Sequence, residues 1–151
     1  ASTSSQGAAG GGATTTLGQG QGQVAATPIG PAPGSAEDLR VNVGDRVFFD
    51  FDRSDLKPDA RAQIERWAAW LTRFPQRTVV IEGHCDERGT REYNLALGDR
   101  RSNAALQYLL SLGVAANRVT VISYGKERPA VAGSTDAAWS QNRRAVLTVR
   151  G

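Results

Sequence analysis

The sequence predicts a two-layer α/β sandwich in which helices pack against a mixed sheet. Short runs that alternate apolar and polar residues are interleaved with longer runs at helical spacing, in the order β, α, β, α, β, short α, β. This alternation favours a sheet that is at least partly parallel, with helices on one face. A change of composition near residue 39 leaves enough chain for one such domain.

Residues 1–38 are expected to form a flexible linker. Nine of the 17 glycines lie before Ser35, and the stretch contains no lysine or arginine. Such a composition buries too little apolar surface to offset the loss of chain entropy on folding. We therefore predict a linker over residues 1–38 and one folded domain over residues 39–151.

The predicted domain is mildly basic. All 18 lysines and arginines follow residue 39, but acidic residues are interspersed among them, a pattern that argues against nucleic acid as a partner. Cys85 is the only cysteine, so no disulfide forms within the chain. No run reaches the roughly 18 apolar residues of a membrane span. An export signal or lipid anchor upstream of Ala1 is compatible with these features.

The first half of the domain contains two strands and one helix. Residues 46–51 alternate in polarity and are predicted to form the first strand. Pro58 suits the first turn of a helix, and apolar residues recur at helical spacing until Pro75 stops the run. Residues 78–82 form the second strand. The polar loop at residues 83–91 leaves its carboxyl end, where a rigid sheet holds functional side chains in contact with solvent.

The second half begins with the longest helix. We predict this helix from about residue 92 to residue 112, with Gly113 as its carboxyl-terminal cap. A third strand is expected at residues 119–123, a short helix at residues 135–141 and a last alternating strand at residues 145–149.

Arg101 is the residue that spacing alone singles out. It interrupts an apolar stripe on the second predicted helix, so its side chain is expected to face the core. A buried guanidinium is unfavourable unless carboxylates or carbonyls satisfy it, and we expect an acidic partner. One interpretation is an internal salt bridge, or snorkelling to the helix edge. The other is that Arg101 receives a ligand carboxylate at the mouth of the sheet.

Two further polar residues are expected near Arg101. Asp86 lies in the loop that enters this helix, and Asn94 lies two turns before Arg101 on the same face. A pocket formed by the three suits a zwitterion, because the carboxylate binds an ammonium group and the guanidinium binds a carboxylate. Each charge-assisted hydrogen bond contributes roughly 1.5 to 3 kcal/mol net, so recognition needs no reaction.

Catalytic and metal-binding interpretations of the same loop are less well supported. Adjacent residues of an extended chain point to opposite faces, so His84 is badly placed to take a proton from Cys85. One histidine and one cysteine are too few for a structural zinc site. Asp86 and Glu87 as a paired acid and base remain an alternative, although such loop neighbours are usually only solvated. Asp52 is either a polar strand end or part of the same pocket.

Residues 82–101 read EGHCDERGTREYNLALGDRR. This segment resembles the signature of the OmpA-like peptidoglycan-binding domains, and most closely their branch of peptidoglycan-associated lipoproteins. Further segments resemble the same family: FDFDRSDL at residues 49–56, SYGKERPA at residues 123–130 and QNRRAVL at residues 141–147. Together the segments extend from the first strand nearly to the end of the chain.

The resemblance implies a specific ligand. In this family, residues that correspond to Asp86 and Arg101 hold the amino and carboxylate groups of meso-diaminopimelate in the peptidoglycan stem peptide. Further pocket contacts are implied for residues around the first strand and the second helix: Phe51, Asp52, Arg53, Arg88, Thr90, Asn94 and Leu97. The resemblance implies no catalytic residue, no cofactor and no metal.

The resemblance also implies a location and partners. Members of this branch lie on the periplasmic face of the outer membrane, held by a lipid on an amino-terminal cysteine that would lie outside this sequence. The expected role is to tether the outer membrane to the wall in a Tol-Pal-type system, with a TolB-like protein as partner. The alternatives are a wall-binding domain of another system, such as a flagellar stator or a porin tail, and a peptidoglycan hydrolase.

Overall fold

A computed structural model describes residues 30–151 and contains a four-stranded mixed sheet packed against helices. The strands are β1 (Arg46–Phe48), β2 (Val79–His84), β3 (Val119–Gly125) and β4 (Arg144–Val149), and their spatial order is β1-β4-β2-β3. β2 and β3 are parallel, whereas β4 is antiparallel to both β1 and β2. The predicted α/β sandwich with a partly parallel sheet is confirmed.

Three helices lie where the sequence predicts them, to within one residue at their first positions. They are α1 (Pro58–Arg73), α2 (Arg91–Ser111) and α3 (Asp136–Asn142). Pro58 occupies the first turn of α1, where a missing backbone N–H costs no hydrogen bond. Gly113 follows α2 with φ 96°, a conformation that glycine adopts without strain. None of the described helices is long and apolar enough to cross a membrane.

The strand ends differ from the prediction. β1 stops at Phe48 instead of residue 51, because the chain turns away from the sheet towards Asp52, whose φ is 61°. β2 and β3 each extend two residues further than predicted, because they remain paired with each other as far as His84 and Gly125.

A short helical segment that was not predicted precedes β1. Ala36–Asp38 form one α-helical turn, and Leu39–Val43 continue as one π-helical turn. Pro33–Gly151 form one compact unit, so the folded part starts upstream of the expected boundary at residue 39. The remainder of the predicted linker, residues 1–29, lies outside the described residues.

We call residues 33–44 the amino-terminal strap, and Asp38 fastens it to α1. Its Oδ2 accepts hydrogen bonds from the backbone N–H of Gly34 at 2.8 Å and from Nε1 of Trp70 at 3.0 Å. The side chain of Leu39 is buried in the main core. The strap is therefore packed as part of the domain.

α2 lies directly on β2 through a pair of glycines. A Cβ atom on Gly83 would lie 1.7 Å from the carbonyl oxygen of Gly98, and one on Gly98 would lie 2.3 Å from Oγ of Ser123. Since no side chain fits between them, the two elements are in backbone contact. This contact determines where the first half of α2 lies relative to the end of β2.

The two ends of β2 have different neighbours. Before its first residue, Nε of Arg77 donates to the carbonyl of Gly34 at 2.7 Å, which brings the strap to this end. There the backbone N–H of Thr78 donates a hydrogen bond to the carbonyl of Gly151 at 2.9 Å. After its last residue, the polar loop leads to Asp86. The strap and the polar loop thus lie at opposite ends of the same strand.

Candidate functional site

A pocket of about 230 Å³ opens beyond the carboxyl end of β2. Its walls come from the turn after β1, the loop after β2 and the first half of α2. Loops at the carboxyl ends of strands are the usual position for ligands in open α/β sheets. The residues that line it are Phe51, Asp52, Cys85, Asp86, Arg88, Gly89, Tyr93, Asn94, Leu97 and Arg101.

Asp86 supplies a buried negative charge, with only 4% of its surface exposed. Arg88 donates from Nε to Oδ1 at 3.2 Å and from Nη2 to Oδ2 at 2.7 Å, and its backbone N–H donates to Oδ1 at 3.0 Å. Nη1 of Arg143 makes a longer contact with Oδ2 at 3.4 Å. Burial raises the pKa of the Asp86 carboxyl, but these hydrogen bonds outweigh it and hold the pKa below its usual value. Asp86 is therefore ionised at neutral pH.

Arg101 supplies a fully buried positive charge. Its Nε donates to the carbonyl of Arg53 at 2.8 Å, and Nη1 and Nη2 donate to the carbonyls of His84 and Asp50, each at 3.0 Å. Within residues 30–151 it forms no ion pair, so the salt-bridge interpretation is wrong, and Asp86 pairs with two other arginines. The carbonyls accept from three of the five N–H donors of the guanidinium, and Arg101 also lines the pocket.

Arg88 is held at the rim of the pocket between two aromatic rings. Its guanidinium carbon lies 3.9 Å from the centre of the Phe51 ring and 4.0 Å from the centre of a ring of Trp139. Both distances allow a favourable cation–π interaction. These contacts orient Arg88 so that it can reach both oxygens of Asp86.

The start of α2 determines the shape of the loop. Oγ1 of Thr90 caps the helix by accepting a hydrogen bond from the N–H of Tyr93 at 3.1 Å. Nδ2 of Asn94 donates to the carbonyls of Arg88 at 2.9 Å and Thr90 at 3.0 Å. The side chain of Asn94, which lines the pocket, thus fixes the backbone of the loop at Arg88 and Thr90.

Seven of the nine residues that the sequence assigns to a ligand site line this pocket, and Arg53 and Thr90 do not. The side chain of Arg53 is exposed and pairs with Asp55 at 2.9 Å, while its backbone carbonyl binds Arg101. Thr90 acts as a helix cap. The seven are Phe51, Asp52, Asp86, Arg88, Asn94, Leu97 and Arg101.

The sequence prediction missed Tyr93, which also lines the pocket. It lies four residues before Leu97 on α2, and residues at this spacing share one helix face, so periodicity contained the signal. Arg143 and Trp139, which contact Asp86 and Arg88, were also missed. They are far from the loop in sequence, and only the fold brings them to it.

Cys85 and His84 have separate environments. Sγ of Cys85 donates to the carbonyl of Asn94 at 3.3 Å, and burial raises the pKa of the thiol to about 11. His84 instead stacks on Tyr124, and its Nε2 lies 3.0 Å from the carboxylate of Glu82. The thiol is therefore protonated at neutral pH, a state that makes it a poor nucleophile.

Comparison with known proteins shows that residues 48–143 match the OmpA family. The chain belongs to the OmpA family. Among its OmpA-family relatives, a peptidoglycan-associated lipoprotein of Mesorhizobium japonicum is 56% identical over 119 residues, which are 79% of this chain and 71% of the relative. The peptidoglycan-associated lipoprotein of Brucella melitensis matches to the same extent. The predicted resemblance to this branch is confirmed.

Solved structures of similar fold include other OmpA-like domains. The crystal structure of the peptidoglycan-associated lipoprotein from Burkholderia pseudomallei has a TM-score of 0.68 and 42% identity, and the match covers 70% of this chain and 90% of that one. The carboxyl-terminal domain of Helicobacter pylori MotB has a TM-score of 0.66 at 20% identity, covering 71% and 84%. At that identity the likeness to MotB shows the fold alone.

The segment at residues 82–101, which carries the family resemblance, extends from β2 through the loop into α2. Eight of the ten residues that line the pocket lie in this segment.

Proposed function

We propose that this chain binds peptidoglycan without catalysis, by holding a meso-diaminopimelate residue of the stem peptide. The observation that carries the proposal is that one pocket is lined by a buried anion, Asp86, and a buried cation, Arg101. The free end of a diaminopimelate side chain is a zwitterion, with one ammonium and one carboxylate group. Two relatives are named peptidoglycan-associated lipoproteins, which supports peptidoglycan as the source of this ligand.

Arg101 is suited to the carboxylate end. Three carbonyls hold its guanidinium in one orientation before any ligand arrives, so little side-chain entropy is lost on binding. Its remaining donors can form charge-assisted hydrogen bonds to a carboxylate. This arrangement favours a ligand with a free carboxylate over an amine such as a lysine side chain.

Asp86 is suited to the ammonium end, although Arg88 already binds it. A carboxylate accepts about four hydrogen bonds, and here the weakest of four is the 3.4 Å contact from Arg143. We expect the ligand ammonium to replace that contact while Arg88 stays in place. Because burial keeps the thiol of Cys85 protonated, Cys85 is a poor nucleophile, which supports a site that binds its ligand without a reaction.

The names of the relatives also bear on the place of the protein in the cell. The relatives from Mesorhizobium japonicum and Brucella melitensis are lipoproteins by name, which supports a lipid anchor on a cysteine outside this sequence. We assign the domain to the periplasmic face of the outer membrane, where it tethers that membrane to the wall. A TolB-like protein is the proposed protein partner, in a Tol-Pal-type system.

Co-sedimentation with purified sacculi that contain meso-diaminopimelate tests the proposal. Wild-type protein should sediment with the sacculi, whereas Asp86→Asn and Arg101→Lys should remain in the supernatant. Lysine keeps the charge at position 101 but cannot present the planar fork to a carboxylate. Asp99→Asn on α2 and Arg66→Lys on α1, both at exposed positions outside the pocket lining, are matched controls that should sediment like wild type.

Two results would contradict the proposal. If both pocket variants sedimented as fully as their controls, the pocket would not be the binding site. If incubation with muropeptides produced new fragments by mass spectrometry, the protein would be a hydrolase. Circular dichroism of each variant separates a loss of binding from a loss of fold.

A further inference from the structure

Three aromatic side chains surround the mouth of the pocket, and we call them the aromatic rim: Phe51, Tyr93 and Trp139. Phe51 and Tyr93 line the pocket, yet 54% and 45% of their surfaces are exposed. Trp139 is half-buried and adjoins them through Arg88. The three come from the turn after β1, the first turn of α2 and α3. Phe51 and Trp139 orient Arg88, and the exposed surface of the rim lies beside the groups proposed to hold the charged ends of diaminopimelate, Asp86 and Arg101.

Each side chain of the rim has a partner that restrains it. The hydroxyl of Tyr93 donates to the carboxylate of Asp52, and Nε1 of Trp139 donates to the carboxylate of Glu87 at 3.1 Å. Arg88 fills the space between Phe51 and Trp139. Aromatic rings that are fixed in place provide contact area at low cost in conformational entropy. Such a surface is organised for a ligand before the ligand binds.

We propose that the aromatic rim binds a sugar ring of the glycan strand, next to the stem peptide in the pocket. This inference rests on the proposed function, because the stem peptide is covalently attached to N-acetylmuramic acid. Diaminopimelate is the third residue of the stem, so two residues at about 3.4 Å each, with the lactyl link, place the sugar roughly 10 Å from the pocket. A pocket that takes the stem peptide therefore has a sugar beside it.

The chemistry of the rim matches a sugar ring. The C–H face of a pyranose packs on an aromatic face, while its hydroxyl and acetamido groups need polar partners at the edge of the ring. Tyr93 donates a hydrogen bond to Asp52 and Trp139 donates one to Glu87, and both carboxylates are exposed and can accept further hydrogen bonds. Aromatic residues beside an arginine are also typical of protein interfaces. The sugar is favoured because the pocket ligand carries it.

Isothermal titration with two synthetic ligands tests the inference. One is the tripeptide L-Ala-D-Glu-meso-diaminopimelate, and the other is the same tripeptide on its disaccharide. Wild-type protein should bind the disaccharide form about two- to tenfold more tightly, because packing of the C–H face on the rim buries additional apolar surface. Tyr93→Leu and Trp139→Leu should each reduce this ratio towards one, with a smaller effect on the tripeptide. Leucine keeps apolar volume at each position and so protects the fold.

Phe48→Leu is the matched control. Phe48 is also an exposed aromatic residue, but it lies on β1 and is not part of the pocket lining, so its replacement should leave the ratio at the wild-type value. Equal affinity of wild type for the two ligands would overturn the sugar proposal and leave wall binding intact. An unchanged ratio in both rim variants would overturn it as well. If wild type bound neither ligand, the proposed function would fail together with this inference.

Discussion

Asp86 and Arg101 have opposite charges in one pocket, but each is stabilised by different groups. Asp86 is held by two arginines, whereas Arg101 is held by three backbone carbonyls. Carbonyl groups carry no net charge, so the positive charge of Arg101 is not neutralised by a partner among residues 30–151. The negative charge of Asp86 is shared between Arg88 and Arg143, and a ligand ammonium has to compete with the longer of these contacts.

The lowered pKa of Asp86 predicts a loss of stability in acid. Because the folded-state pKa lies below the unfolded value of 3.8, the contribution of Asp86 is complete above pH 3.8 and is lost as the pH falls through the folded-state pKa. Urea unfolding between pH 2 and 7 should therefore show that wild type loses more stability in acid than Asp86→Asn does. Asp99→Asn should follow wild type. Identical pH profiles for wild type and Asp86→Asn would contradict this assignment.

The side chains of the site were partly predictable from the sequence. Helical spacing identifies Arg101 as facing inward, and the Asp86 loop follows from the end of a strand. The partners of Arg101 were not predictable, because the carbonyls of Asp50, Arg53 and His84 are 17 to 51 residues away along the chain. Spacing shows that a charge is buried, but it does not show what satisfies the charge.

Among the elements, the contact between β2 and α2 controls the geometry of the pocket. Gly83 and Gly98 touch through backbone atoms, and α2 carries Asn94 and Arg101. A Cβ atom added to Gly83 would meet the carbonyl oxygen of Gly98, which belongs to the backbone and cannot move aside by a change of rotamer. The helix would have to move, and the pocket would move with it.

Gly83→Ala tests this contact. We expect it to lower the free energy of unfolding by about 1 to 3 kcal/mol, the usual cost of overpacking, and to weaken binding of the tripeptide. Urea unfolding and titration calorimetry measure the two effects. Gly151→Ala is the control, since a Cβ there would meet its nearest neighbour at an ordinary 3.8 Å. A variant with wild-type stability and affinity would contradict the role of the contact.

The elements also differ in how well the sequence predicts them. α1 and α2 are 16 and 21 residues long, so apolar residues recur several times at helical spacing in their sequences. The first residues of both helices were therefore predicted closely. The helical turn Ala36–Asp38 has three residues and therefore no period. The end of β1 depends on a left-handed residue, Asp52, which no alternation of polarity indicates.

For the whole molecule, the position of the strap predicts where the domain can be cut. A chain that begins at Pro33 keeps the whole strap and is the reference for urea unfolding. A chain that begins at Leu39 lacks Asp38 and leaves the indole N–H of Trp70 without its acceptor, so it should be about 1 to 3 kcal/mol less stable. Both should still bind sacculi, because the pocket is at the other end of β2. Equal stability of the two truncated chains would contradict the role of the strap.

The opposite positions of the strap and the pocket have a mechanical consequence. If the strap is drawn towards a membrane and the pocket towards the wall, the load enters at the start of β1, which follows the strap in the chain, and leaves at the end of β2. β4 lies between β1 and β2, and the backbone hydrogen bonds that join it to both run across this direction. They are therefore strained together in shear, and none of them can be unzipped before the rest. β4 thus transmits the force from the strand that follows the strap to the strand that leads to the pocket.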